Sequence, residues 1–395
     1  MNRFEQITQR EGTRSVKWDL VKQMYKDEDV LPMWVADMDF QTPEAVKEAI
    51  QKRTEHGIFG YTWPDEEVKT TIKSWLHKRH QWEVKSPWIT YSPGVIPSLH
   101  MIIQSLTEIG DHVLIQTPVY PPFYSVVKDH GRHIVKNPLK LEGTRYEIDF
   151  EDFEQKIKDH NVQTFILCNP HNPVGRVWTK SELTRMKDIC IKHGVTIVSD
   201  EIHADLVLNG HRHVPIASLS EEASEQTITC LSPTKTFNLA GLQASYLVTE
   251  NEKFRQKLEK QFKNQGMLML NTLGLTAMEA AYRDGEEWLE ELLTTLEANR
   301  DYVIDRFEQE NRHIRVFPAE GTYLLWLDCR SLGLSNEELK TFMREQAKVG
   351  LNDGASFGEE GEGFMRMNIA APRPIVEDGT NRILEAVQKL DKAKV

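Results

Sequence analysis

The segment from Val162 to Glu201 restricts the possible folds of this 395-residue chain more than any other. It begins with VQTFILCNP, a continuous apolar run that is typical of a strand buried on both faces. TKSELTRMKDICIKHG follows as a predicted helix, with Thr179 or Ser181 as its cap and Gly194 as its stop. VTIVSDE is predicted to be the next strand. This alternation predicts an α/β domain with a mainly parallel sheet.

A single lysine follows another predicted strand. DHVLIQTP, residues 111–118, and TITCLS, residues 227–232, both have the pattern of strands. CLSPTKTFNLAG then places Lys235 between two threonines, before a strand-like run from Ala244 to Val248. The lysine therefore lies at a predicted strand end, in a segment too polar for a core.

The two ends of the chain have a different pattern. The first 40 residues are irregular, and TPEAVKEAIQKRTEHG then predicts a helix that Thr42 caps, Pro43 begins and Gly57 ends. A long amphipathic helix is expected over residues 286–310. Later elements are expected in this order: strands 313–317 and 323–328, a helix 336–348, a strand 364–369 and a final helix. We therefore expect an N-terminal segment 1–45, a large domain 46–285, and a smaller α+β domain 286–395 that packs with the N-terminal segment.

The charge balance and the cysteines restrict the function and the compartment. The chain has 48 Lys and Arg against 60 Asp and Glu, a net charge of −12, which argues against binding to nucleic acid or to anionic membranes. No signal peptide and no transmembrane helix are expected. The four cysteines form no CxxC pair, so we expect buried free thiols and a cytoplasmic protein.

Polar residues gather at the predicted strand ends, where open α/β sheets bind their ligands. They are Asn169, Asn172, Asp200, His203, Ser232, Thr234 and Lys235. YSPGV precedes a helix expected from about residue 96 or 98, whose N-terminal N–H groups suit a phosphate. A lysine can form a Schiff base, and a buried carboxylate can hold a pyridine nitrogen protonated. Together these residue types predict a pyridoxal 5′-phosphate site.

Ordered motifs give the chain a resemblance to a known superfamily. NPHNPVG, SDEIHADL, SPTKTFNLAGLQ and FMRMN follow one another as in fold-type I pyridoxal phosphate enzymes, the aspartate aminotransferase superfamily. VKWD, LPMWVADMDF, HGIFGY and SDEIH look like the bacterial MalY/PatB group of cysteine–sulfur β-lyases. The resemblance covers nearly the whole chain. It implies a seven-stranded, mainly parallel mixed sheet and a homodimer with active sites at the interface.

The resemblance also implies roles around the cofactor ring. Lys235 would hold pyridoxal phosphate as a Schiff base, Asp200 would face the pyridine nitrogen and Asn172 the ring hydroxyl. Tyr120 would stack on the ring. Aminotransferases usually have tyrosine where this chain has His203, which leaves open whether that histidine bonds the ring hydroxyl.

For the phosphate, the resemblance implies Ser232 and the backbone N–H groups of Val95 and Ile96. Tyr61 would reach the phosphate of the neighbouring subunit. Many aminotransferases carry an arginine where this chain has Gln243, so this phosphate site is expected to carry less charge or to be served from elsewhere.

For the substrate, the resemblance implies that Arg366 binds the α-carboxylate as a bidentate pair. The backbone near Val35, Ala36 and Asp37 would close over it. Asp353 stands where a proline is expected, which leaves the structure of that loop open. The implied reaction is β-elimination from L-cystathionine or a similar L-cysteine thioether, giving a thiol, pyruvate and ammonia. The alternatives are a class I/II aminotransferase, acting on an L-amino acid and a 2-oxo acid, and a regulator without turnover.

Two other motifs have a simpler interpretation. His211 and His213 are spaced like metal ligands, but a polar loop is the better interpretation. GEEGEG is acidic and precedes a strand, so it is not a dinucleotide-binding loop. We therefore expect no metal site.

Overall fold

The computed structural model describes residues 3–267 and 269–394. Its strands are β1 Leu31–Pro32, β2 Ile89–Ser92, β3 His112–Thr117, β4 His133–Pro138, β5 Lys140–Glu142, β6 Arg145–Glu147, β7 Thr164–Cys168, β8 Thr196–Asp200, β9 Thr227–Leu231, β10 Ser245–Val248, β11 Arg315–Val316, β12 Leu324–Asp328, β13 Val349–Gly350, β14 Asn352–Asp353 and β15 Phe364–Asn368. Its α-helices are α1 Val16–Asp19, α2 Val21–Tyr25, α3 Glu44–Glu55, α4 Glu66–His80, α5 Val95–Leu106, α6 Pro122–Lys128, α7 Phe150–Asp159, α8 Lys180–His193, α9 Glu221–Gln226, α10 Pro233–Thr236, α11 Glu252–Asn264, α12 Thr272–Asp284, α13 Glu286–Glu310, α14 Asn336–Thr341 and α15 Arg373–Lys394.

Seven strands form the large sheet in the order β2-β10-β9-β8-β7-β3-β4. Of these seven, β10 runs antiparallel to its neighbours, β2 and β9, and the other neighbouring pairs are parallel. All five residues of β7 and all five of β9 are buried, because helices cover both faces of the sheet. The predicted α/β fold with a mainly parallel mixed sheet is therefore confirmed.

Helix α8 has the ends that its sequence predicts. Thr179 and Glu182 form a reciprocal capping box, so Thr179 rather than Ser181 is the cap. Gly194 ends the helix in the left-handed conformation, with φ 69°. This helix connects β7 to β8 and so sets the two strands parallel and adjacent.

The predicted cap of helix α3 is wrong. The helix begins at Glu44, and Pro43, with φ −50° and ψ 142°, occupies the capping position. Thr42 is one residue too early to reach the first free N–H groups, and its buried hydroxyl has no hydrogen-bond partner among the described residues. Gly57 lies just past the end with φ 73°.

The chain ends meet in the structure. Strand β1 pairs in parallel with β13, so Leu31 lies opposite Val349. The first 40 residues are thus not irregular, since they contain α1, α2 and β1. These elements are too short to give a periodic sequence pattern, which is why the sequence does not predict them.

A second sheet has the strand order β11-β12-β15-β14 and is antiparallel. Helix α13 has the predicted bounds, but the helix predicted over residues 336–348 ends earlier. Helix α14 stops at Thr341, a π-helical turn follows over Phe342–Gln346, and β13 then begins. Asp353 accepts a hydrogen bond from the Ala355 N–H at 3.1 Å, so it caps the turn in the loop where the family pattern has a proline.

All four cysteines are buried and free, as predicted. Within the described ranges, we find no helix that is both long enough and apolar enough to cross a membrane.

Candidate active site

A cavity of about 180 Å³ lies at the carboxyl ends of the central parallel strands. The predicted site residues that line it are Ala36, Val95, Ile96, Tyr120, Asn172, Asp200, His203 and Lys235. Gly94, Cys168, Ile202, Thr234 and Gln243 also line it. The sheet therefore brings together side chains that are far apart in the sequence, at the edge where such folds bind ligands.

Lys235 lies on the one-turn helix α10, just after β9. The turn begins with Ser232, whose hydroxyl accepts the Thr234 N–H at 3.1 Å. The lysine amine donates to the Ala36 carbonyl at 2.6 Å. Burial lowers the pKa of Lys235 from 10.5 to about 8. This lysine therefore has a neutral, nucleophilic amine at a pH where surface lysines are charged.

Asp200 is the last residue of β8 and is buried. Its carboxylate accepts a hydrogen bond from the Ile202 N–H at 3.1 Å. Burial raises its pKa from 3.8 to about 7. Within the described residues it has no ion-pair partner. Such a carboxylate is suited to bind a cation or an acidic N–H group in the cavity.

Arg366, on β15, connects the second sheet to the cavity. Its guanidinium donates to Asn172 Oδ1 at 3.0 Å, to the Trp34 carbonyl at 3.1 Å and to Asn352 Oδ1 at 2.6 Å. The group also packs over the Phe357 ring, 4.9 Å from its centroid. Its buried Nε has no partner among the described residues. The arginine is thus held in place with its Nε donor free, although it does not line the cavity itself.

Two rings border the cavity near these groups. His203 packs edge-on against Tyr323, with 5.9 Å between centroids. Burial lowers the pKa of His203 to about 3, so its imidazole is neutral. Its Nδ1 is buried and has no partner in the part of the chain that the structure describes. Burial also raises the pKa of Tyr120. Both side chains can therefore act as neutral partners for a bound ligand.

The opposite end of the cavity is suited to an anion. Helix α5 starts at Val95, and no described side chain caps it, so its first N–H groups lie at the cavity end without an intrahelical partner. Gly94 has little room for a side chain, because an added Cβ would lie 3.2 Å from Pro97. Thr234 and Gln243 border the same space. Ser232 lies behind them, bonded to Thr234 Oγ1 at 2.6 Å.

Tyr61 does not join this group in a single chain. It is 97% exposed and borders a separate surface cavity. Its neighbours Ile58, Phe59 and Trp63 are exposed as well.

His211 and His213 lie in a loop after Gly210, as predicted. The His213 side chain is nevertheless buried, and its Nε2 pairs with Glu201 Oε2 at 2.8 Å. Next to it, His80 pairs with Asp205 at 2.9 Å. The carboxylate partners, Glu201 and Asp205, follow strand β8 in the sequence. The apolar pattern of that strand is the only local signal that these two pairs are buried.

Two contact residues of the site have no signal in the sequence. Tyr323 donates its hydroxyl to the Ala36 carbonyl at 2.9 Å, and Asn352 accepts a hydrogen bond from Arg366. Only the fold brings these two residues to the site, whereas Thr234, which the sequence does place at a strand end, borders the anion end.

Comparison with known proteins agrees with this geometry. The sequence model of the family described as aminotransferase class I and II matches residues 28–378. The chain belongs to this family. It is 46% identical over 384 residues to cystathionine beta-lyase PatB of Bacillus subtilis (strain 168), covering 97% of this chain and 99% of that protein. Protein MalY of Escherichia coli (strain K12) is 33% identical, with 98% of each chain covered.

A solved structure extends the likeness to three dimensions. Cystalysin from Treponema denticola, whose crystal structure contains a pyridoxal 5′-phosphate cofactor, matches with a TM-score of 0.96 at 36% identity. The match covers 98% of this chain and 99% of that one. The resemblance to fold-type I enzymes and to the MalY/PatB group is therefore confirmed.

Proposed function

We propose that this chain is a pyridoxal 5′-phosphate-dependent cystathionine β-lyase. It would cleave L-cystathionine or a similar L-cysteine thioether to a thiol, pyruvate and ammonia. One observation carries the proposal: Asp200, a buried carboxylate without a counter-ion among the described residues, and Lys235, an amine with a lowered pKa, border the same small cavity. Full-length similarity to a cystathionine beta-lyase supports the same reaction class.

The residues present fit the cofactor. A protonated pyridine nitrogen would supply the cation that Asp200 lacks, and Lys235 would bind the aldehyde. The uncapped N-terminus of α5 would bind the phosphate, with Ser232 supporting Thr234 beside it. Tyr120, Asn172 and His203 would surround the ring. When bound, pyridoxal phosphate supplies an electron sink for negative charge at the substrate α-carbon.

The chain's own residues would orient the substrate and move the proton. Arg366 would bind the α-carboxylate, with its unpartnered Nε as a donor. The substrate amine would take the place of Lys235 at the aldehyde and so free the lysine amine. That amine would accept the proton from the α-carbon, and its pKa of about 8 suits a base near neutral pH. The electron pair left at the α-carbon would expel the thiolate from the β-carbon. Water would then convert the remaining enamine to pyruvate and ammonia.

A homodimer is part of the proposal. Ile58, Phe59, Tyr61, Trp63 and Met269 are large apolar side chains that a single chain leaves exposed. A second copy of the chain would cover this patch. Tyr61 would then reach the phosphate site of its neighbour.

The division into segments 1–45, 46–285 and 286–395 remains a proposal as well. The seven-stranded sheet lies within the second range and the antiparallel sheet within the third, which supports it. We also propose a cytoplasmic location, which the four free thiols support.

The test is to incubate the purified holoenzyme with L-cystathionine and to measure thiol, pyruvate and the form of the cofactor. We expect equal amounts of thiol and pyruvate. Lys235→Ala should lower the rate at least about a thousandfold, because the base is lost. Lys340→Ala, which removes a partly exposed lysine on α14, is the matched control and should leave the rate unchanged.

Stoichiometric conversion of the cofactor to its pyridoxamine form, without release of thiol, would identify an aminotransferase instead. Bound cofactor with no reaction at all would favour the regulator.

A further inference from the structure

Residues 34–40, here called the N-terminal strap, pass between the elements that carry Lys235 and Arg366. Two strap carbonyls face the catalytic groups. The Ala36 carbonyl accepts hydrogen bonds from the Lys235 amine at 2.6 Å and the Tyr323 hydroxyl at 2.9 Å. The Trp34 carbonyl accepts one from Arg366 at 3.1 Å. The positions of these carbonyls therefore determine where the amine and the guanidinium rest.

Asn368 holds the strap from the side of the second sheet. It lies two residues after Arg366 on β15 and is buried. Its side-chain amide donates to the Val35 and Asp37 carbonyls, both at 2.6 Å. These carbonyls flank that of Ala36. The side-chain oxygen of Asn368 accepts the Ala370 N–H at 2.8 Å, which fixes the orientation of the amide.

Asn238 holds the strap from the side of the large sheet. It lies three residues after Lys235 and has φ 58°, a left-handed conformation that asparagine adopts more readily than most residues. Its amide donates to the Met38 and Phe40 carbonyls at 3.0 and 2.8 Å. Its side-chain oxygen accepts the Met38 N–H at 3.0 Å.

The two acidic side chains of the strap, Asp37 and Asp39, are held separately by ion pairs. Asp39 pairs with the buried Lys17 and with Arg10, both at 2.6 Å, and Arg10 also pairs with Asp37 at 2.8 Å. The acidic side chains of the strap thus have ionic contacts. The two asparagines contact its backbone, as do Arg10, which donates to the Met38 carbonyl at 3.0 Å, and the Ala370 carbonyl, which accepts the Asp39 N–H at 2.8 Å. Removing an asparagine amide leaves these ion pairs in place.

We propose that Asn238 and Asn368 are positioning residues for the lyase reaction. They hold the strap backbone between α10 and β15. The Ala36 and Trp34 carbonyls then fix the positions of the Lys235 amine and the Arg366 guanidinium relative to each other. Neither asparagine borders the cavity. The inference rests on the proposed function, because the relative position of the amine and the guanidinium matters only if both groups act on one substrate.

The test uses Asn238→Asp and Asn368→Asp in the holoenzyme. Each change keeps the accepting oxygen and replaces the donating amide with oxygen, so the bonds to the strap carbonyls are lost and a negative charge is added. Asn311→Asp is the matched control, because the Asn311 amide also bridges two carbonyls, those of Phe307 and Ile314, beyond α13. Asn238→Ser and Asn368→Ser, which add no charge, are measured in parallel in case an aspartate variant does not fold.

Two measurements are made on each variant. Hydrogen exchange in peptides covering residues 34–40 should accelerate by on the order of tenfold, because two hydrogen bonds to the backbone are lost. The value of kcat/KM for L-cystathionine should fall by about tenfold or more. KM should rise in the Asn368 variants, because the Arg366 guanidinium is no longer held in position for the substrate carboxylate. The absorption of bound cofactor should stay as in the wild type, and Asn311→Asp should change neither quantity.

Wild-type exchange over residues 34–40 in the folded Asn238 and Asn368 variants would overturn the proposal. Faster exchange with unchanged kcat/KM would also overturn it, since the clamp would then be structural only. If the wild type itself releases no thiol from cystathionine, the proposed function fails. In that case the exchange comparison still decides whether the clamp exists.

Discussion

The buried Asp200 carboxylate lowers the stability of the cofactor-free protein by an amount that depends on pH. In the absence of a cation beside it, burial holds its pKa near 7, above its ordinary 3.8. Between these two pH values the Asp200 carboxyl is ionised in the unfolded chain but protonated in the folded chain. The stability of the cofactor-free protein therefore falls as pH rises through this window, and the deficit is complete above about pH 7.

Asp200→Asn should stabilise the cofactor-free protein by an amount that grows with pH. We expect a gain of about 1.6 kcal/mol near pH 5 and of up to about 4 kcal/mol near pH 8, because the neutral amide has no ionised form. Denaturant unfolding at the two pH values measures the difference.

Asp328→Asn is the control with the opposite sign. Burial works against the Asp328 carboxylate, but hydrogen bonds from Arg330 lower its pKa overall. Its stabilising contribution is present above its unfolded pKa of 3.8, so this variant should lose stability equally at about pH 5 and pH 8. A gain from Asp200→Asn that does not change with pH would contradict the raised pKa.

The sequence predicts the residues of the site that belong to motifs, and not those that act through contacts. Lys235, Asp200 and Asn172 follow strands whose apolar runs are visible, so their convergence at one sheet edge is predictable. Tyr323, and Asn368 at the end of the FMRMN motif, contact the strap only because the second sheet packs against it. No local pattern encodes that packing.

At the scale of elements, two helices use the same start signal in different surroundings. Thr179 with Glu182 and Ser335 with Glu338 both form capping boxes, at α8 and α14. Glu182 also accepts two hydrogen bonds from Arg176, at 2.9 and 3.0 Å, and Arg176 is buried. The first box therefore stabilises a buried arginine as well as a helix.

This difference predicts unequal costs for the same substitution. Thr179→Ala and Ser335→Ala should each lose about 1 kcal/mol of stability. Glu182→Gln should cost about 1–3 kcal/mol, because it weakens the partner of a buried charge, whereas Glu338→Gln should cost less than about 1 kcal/mol. Denaturant unfolding of the four variants checks the order. Equal costs for the two glutamine variants would contradict the role of Arg176.

The elements that the sequence predicts well are those with long or fully apolar patterns. The buried runs of β7 and β9 and the 25 residues of α13 are examples. The elements of two to five residues before Phe40 depend on contacts with the far end of the chain, as between β1 and β13. Their sequence is too short to show a period.

At the scale of the whole molecule, the exposed apolar patch around Phe59 and Tyr61 allows the proposed dimer to be tested. Phe59→Asp should raise the dissociation constant of the proposed dimer by at least about thirtyfold, because it places a charge in an apolar interface. Cofactor affinity should fall with it, since Tyr61 would no longer reach the neighbouring phosphate. Sedimentation velocity over a concentration series measures the first effect.

Ile109→Asp is the control for this experiment. Ile109 is 82% exposed, but it lies apart from the patch, next to Gly131. This change should leave the assembly unchanged. If the Phe59→Asp variant sediments like the wild type at every concentration, this patch does not hold two copies together.

The pairing of β1 with β13 also has a consequence for the order of events on the ribosome. Leu31 emerges early, but its partner Val349 is translated only when most of the chain has already left the exit tunnel. The large sheet, complete by Val248, can form first. Strand β1, and the strap that follows it, therefore remain without the β13 pairing until late in translation. The strap is thus the last part of the site to reach its final position during biosynthesis.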